Sequence, residues 1–512
     1  MKKTKPQEMN SSSLPHTHNQ EDPNGSDQTQ NQAQFSEKPT EINELEVSLF
    51  GFNFDELGKV FSYKGRIFRG IYPEKTEYIK ALFDSGLIQE LIDEALFPNT
   101  TITSYQLEGF DLILEHEKIS PILYPSSWTF DMLKDAALAV IKVNQIARKY
   151  GYQTLDSHGF NVLFRSAKPL FVDLGSFVKN DECPQGWKAY EEFLRYYLYP
   201  LKIYSDGNNY LAKAVMSQGK KIMTHGSYYQ YKYPLLRLLR IHTVDSLLSK
   251  FYQYKSFSHF SLAEVEARSP KLVKPLLVYF KKKGYAPLQK VDLEKLAKRV
   301  RKIKQPNYQS QWGDYHDKFI QQQGKVASTP RFDRIVEIIN QLKPQSLLEI
   351  GGNQGVFSQL LLKRTPIKHI TCSDYDENAV NKMYLRIRDL KLQITPSLID
   401  IVSPLVLSYG PSLGERYKSD MIVALALTHH VILTQRVSPS NLFKQFNKFT
   451  SRYVVTEFMP MGLYSEEAKR DHTPPDWYTE EWFAGEFEKY YTVLYREKLE
   501  KNRVLFVGEI KE

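Results

Sequence analysis

The first 44 residues carry almost no large apolar side chains and are rich in Gln, Asn, Ser, Thr, His and Pro. Such a segment cannot bury enough surface to offset its ordering entropy, so residues 1–44 are expected to form a disordered tail. From Lys59 the pattern changes. Lys59–Tyr63 and Arg66–Tyr72 alternate on either side of Lys64-Gly65, the signature of a hairpin. A helical stretch over 75–96 follows, then strand-like runs at 100–106 and 110–115, then a long helix over 130–150. Beyond residue 330 strands and helices alternate: a helix at 330–342, apolar strands at 346–350, 369–373, 392–399, 420–427 and 452–458, then a helix at 479–490 and a strand pair at 492–500 and 503–510. The 420–427 run is almost unbroken in its apolar character, as a strand buried on both faces should be. The pattern predicts an open α/β sheet in the C-terminal part.

The turn after the first of these strands carries the chemistry. Leu347–Phe357 reads L-L-E-I-G-G-N-Q-G-V-F, an acid at the strand end followed by Gly351, Gly352, Asn353 and Gly355 and then an apolar helix. Glycine permits close backbone approach and positive φ, and asparagine tolerates the left-handed region better than other side chains. In a dinucleotide site such a turn cradles a pyrophosphate, with an acid about 20 residues on that holds a ribose. In S-adenosylmethionine (SAM) methyltransferases the acid ending the first strand instead faces the loop and the amino-acid part of the cofactor. Glu349 stands at that place. Asp374, nineteen residues after Gly355, ends the second strand where a ribose-binding carboxylate is expected, and Asp400 ends the third, placed for the adenine amino group. The five strand-helix units and terminal hairpin resemble the seven-stranded class I (Rossmann-like) methyltransferase fold over 311–512. That resemblance implies SAM as cofactor, bound by Glu349, Gly351, Gly352, Asn353, Gly355, Asp374 and Asp400.

The preceding part has a second pattern. After the long helix come D-S-H-G-F-N-V-L-F, residues 156–164, and P-L-F-V-D-L-G, residues 169–175. Kinases and related phosphotransferases orient the acceptor hydroxyl with an Asp, hold metal with an Asn five residues later, and hold Mg²⁺ with a following Asp-x-Gly. Asp156, Asn161 and Asp173 reproduce that spacing, so residues 45–205 resemble an α+β kinase-like domain, with ATP and Mg²⁺ as the ligands implied. No G-x-G-x-x-G loop precedes the hairpin, and the strand that would carry the phosphate-binding lysine reads R-I-F-R-G, with Arg69 in its place. Glu77 or Glu90 would supply the acid to pair with it. The alternative is a degenerate domain in which Asp156 and Asp173 are turn and strand-end residues kept for docking.

Charge changes the picture in one place. Residues 211–304 hold 21 Lys and Arg against 5 Asp and Glu, a local +16, although the whole chain is only +9. Aromatics are interleaved, as in Tyr228-Tyr229-Gln230-Tyr231-Lys232-Tyr233. A basic helical lobe over 206–310 is expected, suited to an anionic membrane surface and less to nucleic acid, for which no RNA-binding signature appears. Alternatively its apolar positions Leu235, Leu236, Leu239 and Leu247 pack on the kinase-like core with the lysines in water. Two cysteines, Cys183 and Cys372, form no disulfide framework or zinc site, and no apolar run is long enough for a membrane span. A cytoplasmic protein, or one peripheral to a membrane, is expected.

Residues 114–138, the 156–161 segment, Q-W-G-D-Y-H at 311–316 and L-A-L-T-H-H at 425–430 together resemble bacterial methyltransferases of the nodulation type. Methyl transfer from a sulfonium is an in-line displacement, and a hydroxyl acceptor benefits from a general base, for which histidine suits neutral pH. His429 and His430 leave the fourth strand where an acceptor approaches the methyl group. One of them alternatively packs against the cofactor or caps a helix. Glu457, near the end of the fifth strand, is a further candidate base, and Trp312 and Tyr315 are candidates for a lid. The expected enzyme methylates a hydroxyl or similar group on a glycan or small metabolite. A binding protein with relic sites acting through the basic lobe, or an RNA methyltransferase, are the rival readings.

Overall fold

The computed structural model describes residues 40–49, 55–181, 186–217, 223–232, 291–307, 309–320, 326–403, 410–464 and 473–511. Residues 1–39 of the expected tail, Cys183 and most of the expected basic lobe, including Leu235, Leu236, Leu239 and Leu247, lie outside the described residues, whereas residues 40–44 of that tail are ordered, with Thr40–Glu41 paired to Tyr105–Gln106 and Ile42 buried. Thr40–Glu512 forms one compact unit.

Its C-terminal half is built on a seven-stranded sheet. In chain order the strands are Ser346–Ile350, His369–Asp374, Ile394–Leu398, Ser419–Ala424, Thr450–Phe458, Tyr491–Glu500 and Arg503–Ile510. Across the sheet the order is third, second, first, fourth, fifth, seventh, sixth. The first five run parallel, and the seventh inserts antiparallel between the fifth and the sixth. This is the class I methyltransferase strand order. The chain works outward from the first strand to the third and then returns to the other side as the fourth, and ligands of such sheets lie beyond the carboxyl ends of the strands at that reversal. The first strand is flanked on both sides and buries Leu347, Leu348, Glu349 and Ile350, which is why it reads as an apolar run rather than an alternating one. Helix Pro330–Leu342 starts where a cap predicts it: Thr329 accepts the Phe332 N–H and Pro330 takes the first turn.

The N-terminal half carries a five-stranded antiparallel sheet in the order Ser48–Leu49, Gly58–Tyr63, Arg66–Ile71, Leu112–His116, Thr100–Ile102. The helix expected over 75–96 is two helices, Thr76–Asp84 and Leu87–Asp93, because Gly86 between them adopts a left-handed φ of 83° that no helix interior accommodates. The run 100–106 likewise splits into Thr100–Ile102 and Tyr105–Gln106. Helix Phe130–Lys149 follows and packs on strands Tyr152–Thr154 and Lys168–Phe171 and on helix Leu87–Asp93, burying residues such as Met132, Leu133, Ala136, Val140 and Val143. Two short antiparallel pairs follow, Val162–Arg165 with Lys168–Phe171 and Tyr152–Thr154 with Phe177–Lys179.

The two halves meet along helices Phe130–Lys149 and Glu377–Leu390. The Asp131 N–H donates to Asn381 Oδ1 at 3.0 Å and the Asn381 amide donates back to Asp131 Oδ2 at 2.9 Å. One turn on, Asp135 accepts from the Tyr384 hydroxyl at 2.8 Å and from Arg388 at 2.9 Å. The described ends of the basic segment also dock. Helix Leu293–Lys302 turns Leu293, Leu296, Ala297 and Val300 inward and packs on Phe130–Lys149, leaving Arg299, Arg301 and Lys302 in its last turn. No described helix is long and apolar enough to cross a membrane.

Candidate functional site

The glycine turn has the backbone its sequence calls for. Gly351 and Gly355 both have φ of 71°, and Asn353 between them has φ of 51°. Gly355 ends the turn as the residue preceding helix Val356–Arg364. A side chain at Gly355 would meet Met383 Sδ at 2.7 Å, so the turn lies pressed onto the helix that follows the second strand.

Three carboxylates sit at the ends of the first three strands, and their surroundings differ. Glu349 is buried beneath the turn: it accepts the Ser358 N–H at 3.0 Å, the Ser358 hydroxyl and the Cys372 thiol at 3.4 Å. Its carboxylate points into the sheet-helix interface rather than out of the loop, and burial pushes its pKa up to about 7. Gly352 closes this pocket, since a Cβ there would lie 2.4 Å from Cys372 Sγ. Asp374 accepts the Asn353 N–H at 2.8 Å and the Asp376 N–H at 2.9 Å. Burial raises it to about 6, with those two N–H groups pulling the other way. Each of its oxygens keeps a further lone pair, so it can still accept from a ligand hydroxyl. Asp400 accepts from Val402 and Ser403 N–H at 2.9 and 3.0 Å through a single oxygen. Tyr375, between the second and third acids in the rim, is 53% exposed.

A strap crosses the turn from outside. Asn353 donates its amide to the Trp312 carbonyl at 2.8 Å, and Gln354 donates to the Gly313 carbonyl at 2.8 Å. The strap's other attachments run to Asp376, which accepts from the Ser310 hydroxyl at 2.7 Å and the Trp312 N–H at 3.2 Å while capping helix Glu377–Leu390. Trp312 then lies edge-on to His430, ring centroids 5.0 Å apart, and to Tyr315 at 5.7 Å.

The candidate bases gather on the other side of Trp312. His429 is buried with its Nδ1 unpartnered, and burial holds it well below the ordinary histidine value, with His430 and Arg503 acting in the same direction. His430 is half-buried, also lowered by burial, and its ring lies 4.1 Å from that of His429. Both imidazoles are therefore neutral near pH 7. Glu457 is fully buried and engaged: it accepts the Ala426 N–H at 2.9 Å, pairs with Arg503 at 2.9 Å and lies 3.4 Å from Arg331. Two guanidiniums and a strained left-handed turn residue, Ala426 with φ of 51°, thus rest on one carboxylate, which holds the fourth and fifth strand ends together.

The Asp156, Asn161 and Asp173 side chains do come together in the other half. Asn161 Nδ2 donates to Asp156 Oδ1 at 2.5 Å and to Asp173 Oδ2 at 3.1 Å. Asp173 is raised to about 6 by burial and by Asp156. Arg69 pairs with Asp55 at 2.7 Å, not with either expected helix acid: Glu90 binds Lys149 and Tyr150, and Glu77 binds Lys80. The helix break at Gly86 separates those two acids, and Asp55 lies just ahead of the hairpin strand that carries Arg69's partner, where no spacing rule pointed. Sequence reasoning also passed over Asp376, Tyr375, Arg331 and Arg503. Asp376 was visible as an acid one residue before a helix; the arginines carry no local signal.

No known family profile matches the chain. It is 24% identical over 457 residues to nodulation protein NoeA of Rhizobium meliloti (strain 1021), a match that covers 82% of this chain and 84% of that protein. The chain is similar to NoeA over most of its length. A match of that length cannot lie within either half alone, so the likeness to NoeA includes residues of both. Among solved structures, an S-adenosylmethionine-dependent methyltransferase from Clostridium acetobutylicum overlays on 39% of this chain and 97% of its own, at 13% identity and a TM-score of 0.30. The N-methyltransferase NodS from Bradyrhizobium japonicum overlays on 36% of this chain and 99% of its own, at 14% identity and a TM-score of 0.26.

Proposed function

We propose that this protein is a SAM-dependent methyltransferase acting on a hydroxyl or similar group of a glycan or small metabolite. The observation that carries the reading is the strand order with an acid at each of the first three strand ends and a left-handed glycine turn above them. The residues fit SAM: Asp374 keeps lone pairs for the ribose hydroxyls, Asp400 keeps one oxygen free of backbone donors, and the Gly351 to Gly355 turn offers the close backbone approach. Glu349 acts indirectly, bracing the turn from below. SAM supplies an electrophilic methyl group on a sulfonium. The chain then has to position the acceptor, exclude water and take its proton. His430 is the side chain suited to the last task, because it is neutral, half-buried and fixed in orientation by the edge of Trp312. Glu457 holds the surrounding turn through the Ala426 N–H, and His429 packs beside His430.

The kinase-like constellation reads best as a structural relic. Its Asn161 amide donates to both carboxylates, so Asp156 and Asp173 are already hydrogen-bonded within the protein. The guanidinium of Arg69 already supplies positive charge beside Asp173. The cluster is thus satisfied without ATP or Mg²⁺, and no phosphotransfer step is assigned to it. The basic segment would serve as a peripheral surface toward an anionic membrane, with its ends docked as described.

Titration calorimetry with S-adenosylhomocysteine tests the reading. Micromolar binding by the wild type and its loss in Asp374→Ala are expected, with no heat from ATP and Mg²⁺. A wild-type protein that binds no S-adenosylhomocysteine would instead support the binding-protein alternative.

A further inference from the structure

A cavity of about 170 Å³ opens at the junction of the two halves. Tyr375, Asp400 and Arg416 line it from the methyltransferase sheet, and Ser126, Ser127 and Ser217 line it from the N-terminal half. The sheet side is the rim beyond the second and third strands, next to the acid placed for the adenine amino group. The opposite side is a built wall. Lys213, buried within helix Asn209–Met216, donates to the Ser126 carbonyl at 3.2 Å and the Trp128 carbonyl at 2.5 Å, which fixes the turn Pro125–Ser127. Ser217 follows directly at the end of the same helix. Arg416 clamps the two sides: it donates to the Ile122 carbonyl at 2.8 Å, lies over the Tyr124 ring at 4.5 Å, and keeps a buried Nε with no partner.

We propose that Ser126, Ser127 and Ser217 form the outer wall of the adenine pocket, so that the N-terminal half completes the cofactor site of the methyltransferase. The proposal rests on the SAM reading above. An adenine is flat and apolar on its faces and carries donors and acceptors around its edge. Tyr375 presents a half-exposed ring to a face, Asp400 accepts from the amino group, and serine hydroxyls both donate and accept toward ring nitrogens. Three serines also leave the space open, where larger side chains would fill it. The two sides belong to sequence segments separated by 158 to 290 residues, so the pocket exists only while the halves are docked.

The experiment compares full-length wild type, Ser126→Phe and Ser126→Ala by calorimetry with S-adenosylhomocysteine, alongside thermal melting. Ser126→Phe is expected to weaken binding by roughly tenfold or more, a loss of about 1.4 kcal/mol, with an unchanged melting temperature, and Ser126→Ala to weaken it by a smaller factor through the lost hydroxyl. Should Ser126→Phe not fold, Ser217→Leu reads the same wall. A second readout is hydrogen exchange: S-adenosylhomocysteine should slow the amides of residues 126–128 in the wild type. Binding by the wild type that neither bulky variant weakens, or exchange at 126–128 that is indifferent to the ligand, overturns the wall while leaving the SAM site intact. No binding by the wild type removes both.

Discussion

Glu349 shows how one carboxylate can be both a motif residue and a buried liability. Its pKa of about 7 against an ordinary value near 4.3 means that the folded state binds a proton more tightly than the unfolded chain does. The sign follows from linkage: between roughly pH 4 and 7 the native state holds more protons, so this group's contribution falls as pH rises through its folded pKa. The full cost of keeping it ionised, about 4 kcal/mol at most, applies above pH 7. Glu349→Gln should therefore be relatively more stable at pH 8 than at pH 5 when each is compared with wild type by denaturant unfolding. An equal difference at both pH values would show that Glu349 is not protonated in the fold. Motif spacing located Glu349, Asp374 and Asp400 in the sequence because each ends a strand of an open sheet. It said nothing about direction, and a carboxylate that turns inward to Ser358 is indistinguishable in sequence from one that turns outward to a ligand.

At the scale of elements, Asp376 joins three of them. It caps helix Glu377–Leu390 through Asn378 and Ala379 N–H, donates its own N–H to Asp374, and receives the strap at Ser310 and Trp312. Removing a cap alone costs about 1 kcal/mol, and the freed Ser310 and Trp312 donors add to that. Asp376→Ala should lower stability by about 1–3 kcal/mol and accelerate exchange of the 310–317 amides ahead of global opening. Were those amides to exchange as in wild type, the strap would be held elsewhere. Elements whose ends carry caps or Gly were legible: Thr329-Pro330 and Gly355 mark their helix starts. The helix over 75–96 was misjudged because its apolar period continues across Gly86, and only the positive φ there breaks it. The short central strand Ser419–Ala424 ends three residues earlier than its apolar run, since Leu425 and Leu427 go on into the turn that carries His429.

For the whole molecule, the interface between halves includes the polar set Asp131, Asp135, Asn381, Tyr384 and Arg388, with Tyr204 on Glu377 and Arg416 on the Ile122 carbonyl as further ties. Asp135→Ala leaves the Tyr384 hydroxyl with the longer bond to the Ala167 carbonyl at 3.3 Å and the part-exposed Arg388 with Asp389, and losing hydrogen bonds to a carboxylate costs about 1–3 kcal/mol. Scanning calorimetry of the wild type should give one transition for residues of both halves, and Asp135→Ala should shift it downward by a few degrees or split it. Two transitions in the wild type would mean the halves fold independently. None of this interface was legible in the sequence. Pairing across such distances has no periodic signature, and the charges that make it look, one by one, like an ordinary solvated helix face.

The same pairing has a consequence for synthesis. Asp131 bonds to a residue 250 positions later. At a translation rate of about 5–20 residues per second, helix Phe130–Lys149 emerges from the ribosome on the order of 10 to 50 seconds before the helix it docks against. During that interval the nascent N-terminal half carries an unmatched face, and contacts so distant along the chain form slowly. Expressing the two halves as separate chains would leave each with that face exposed, whereas expressing them together would allow the pair to find one another.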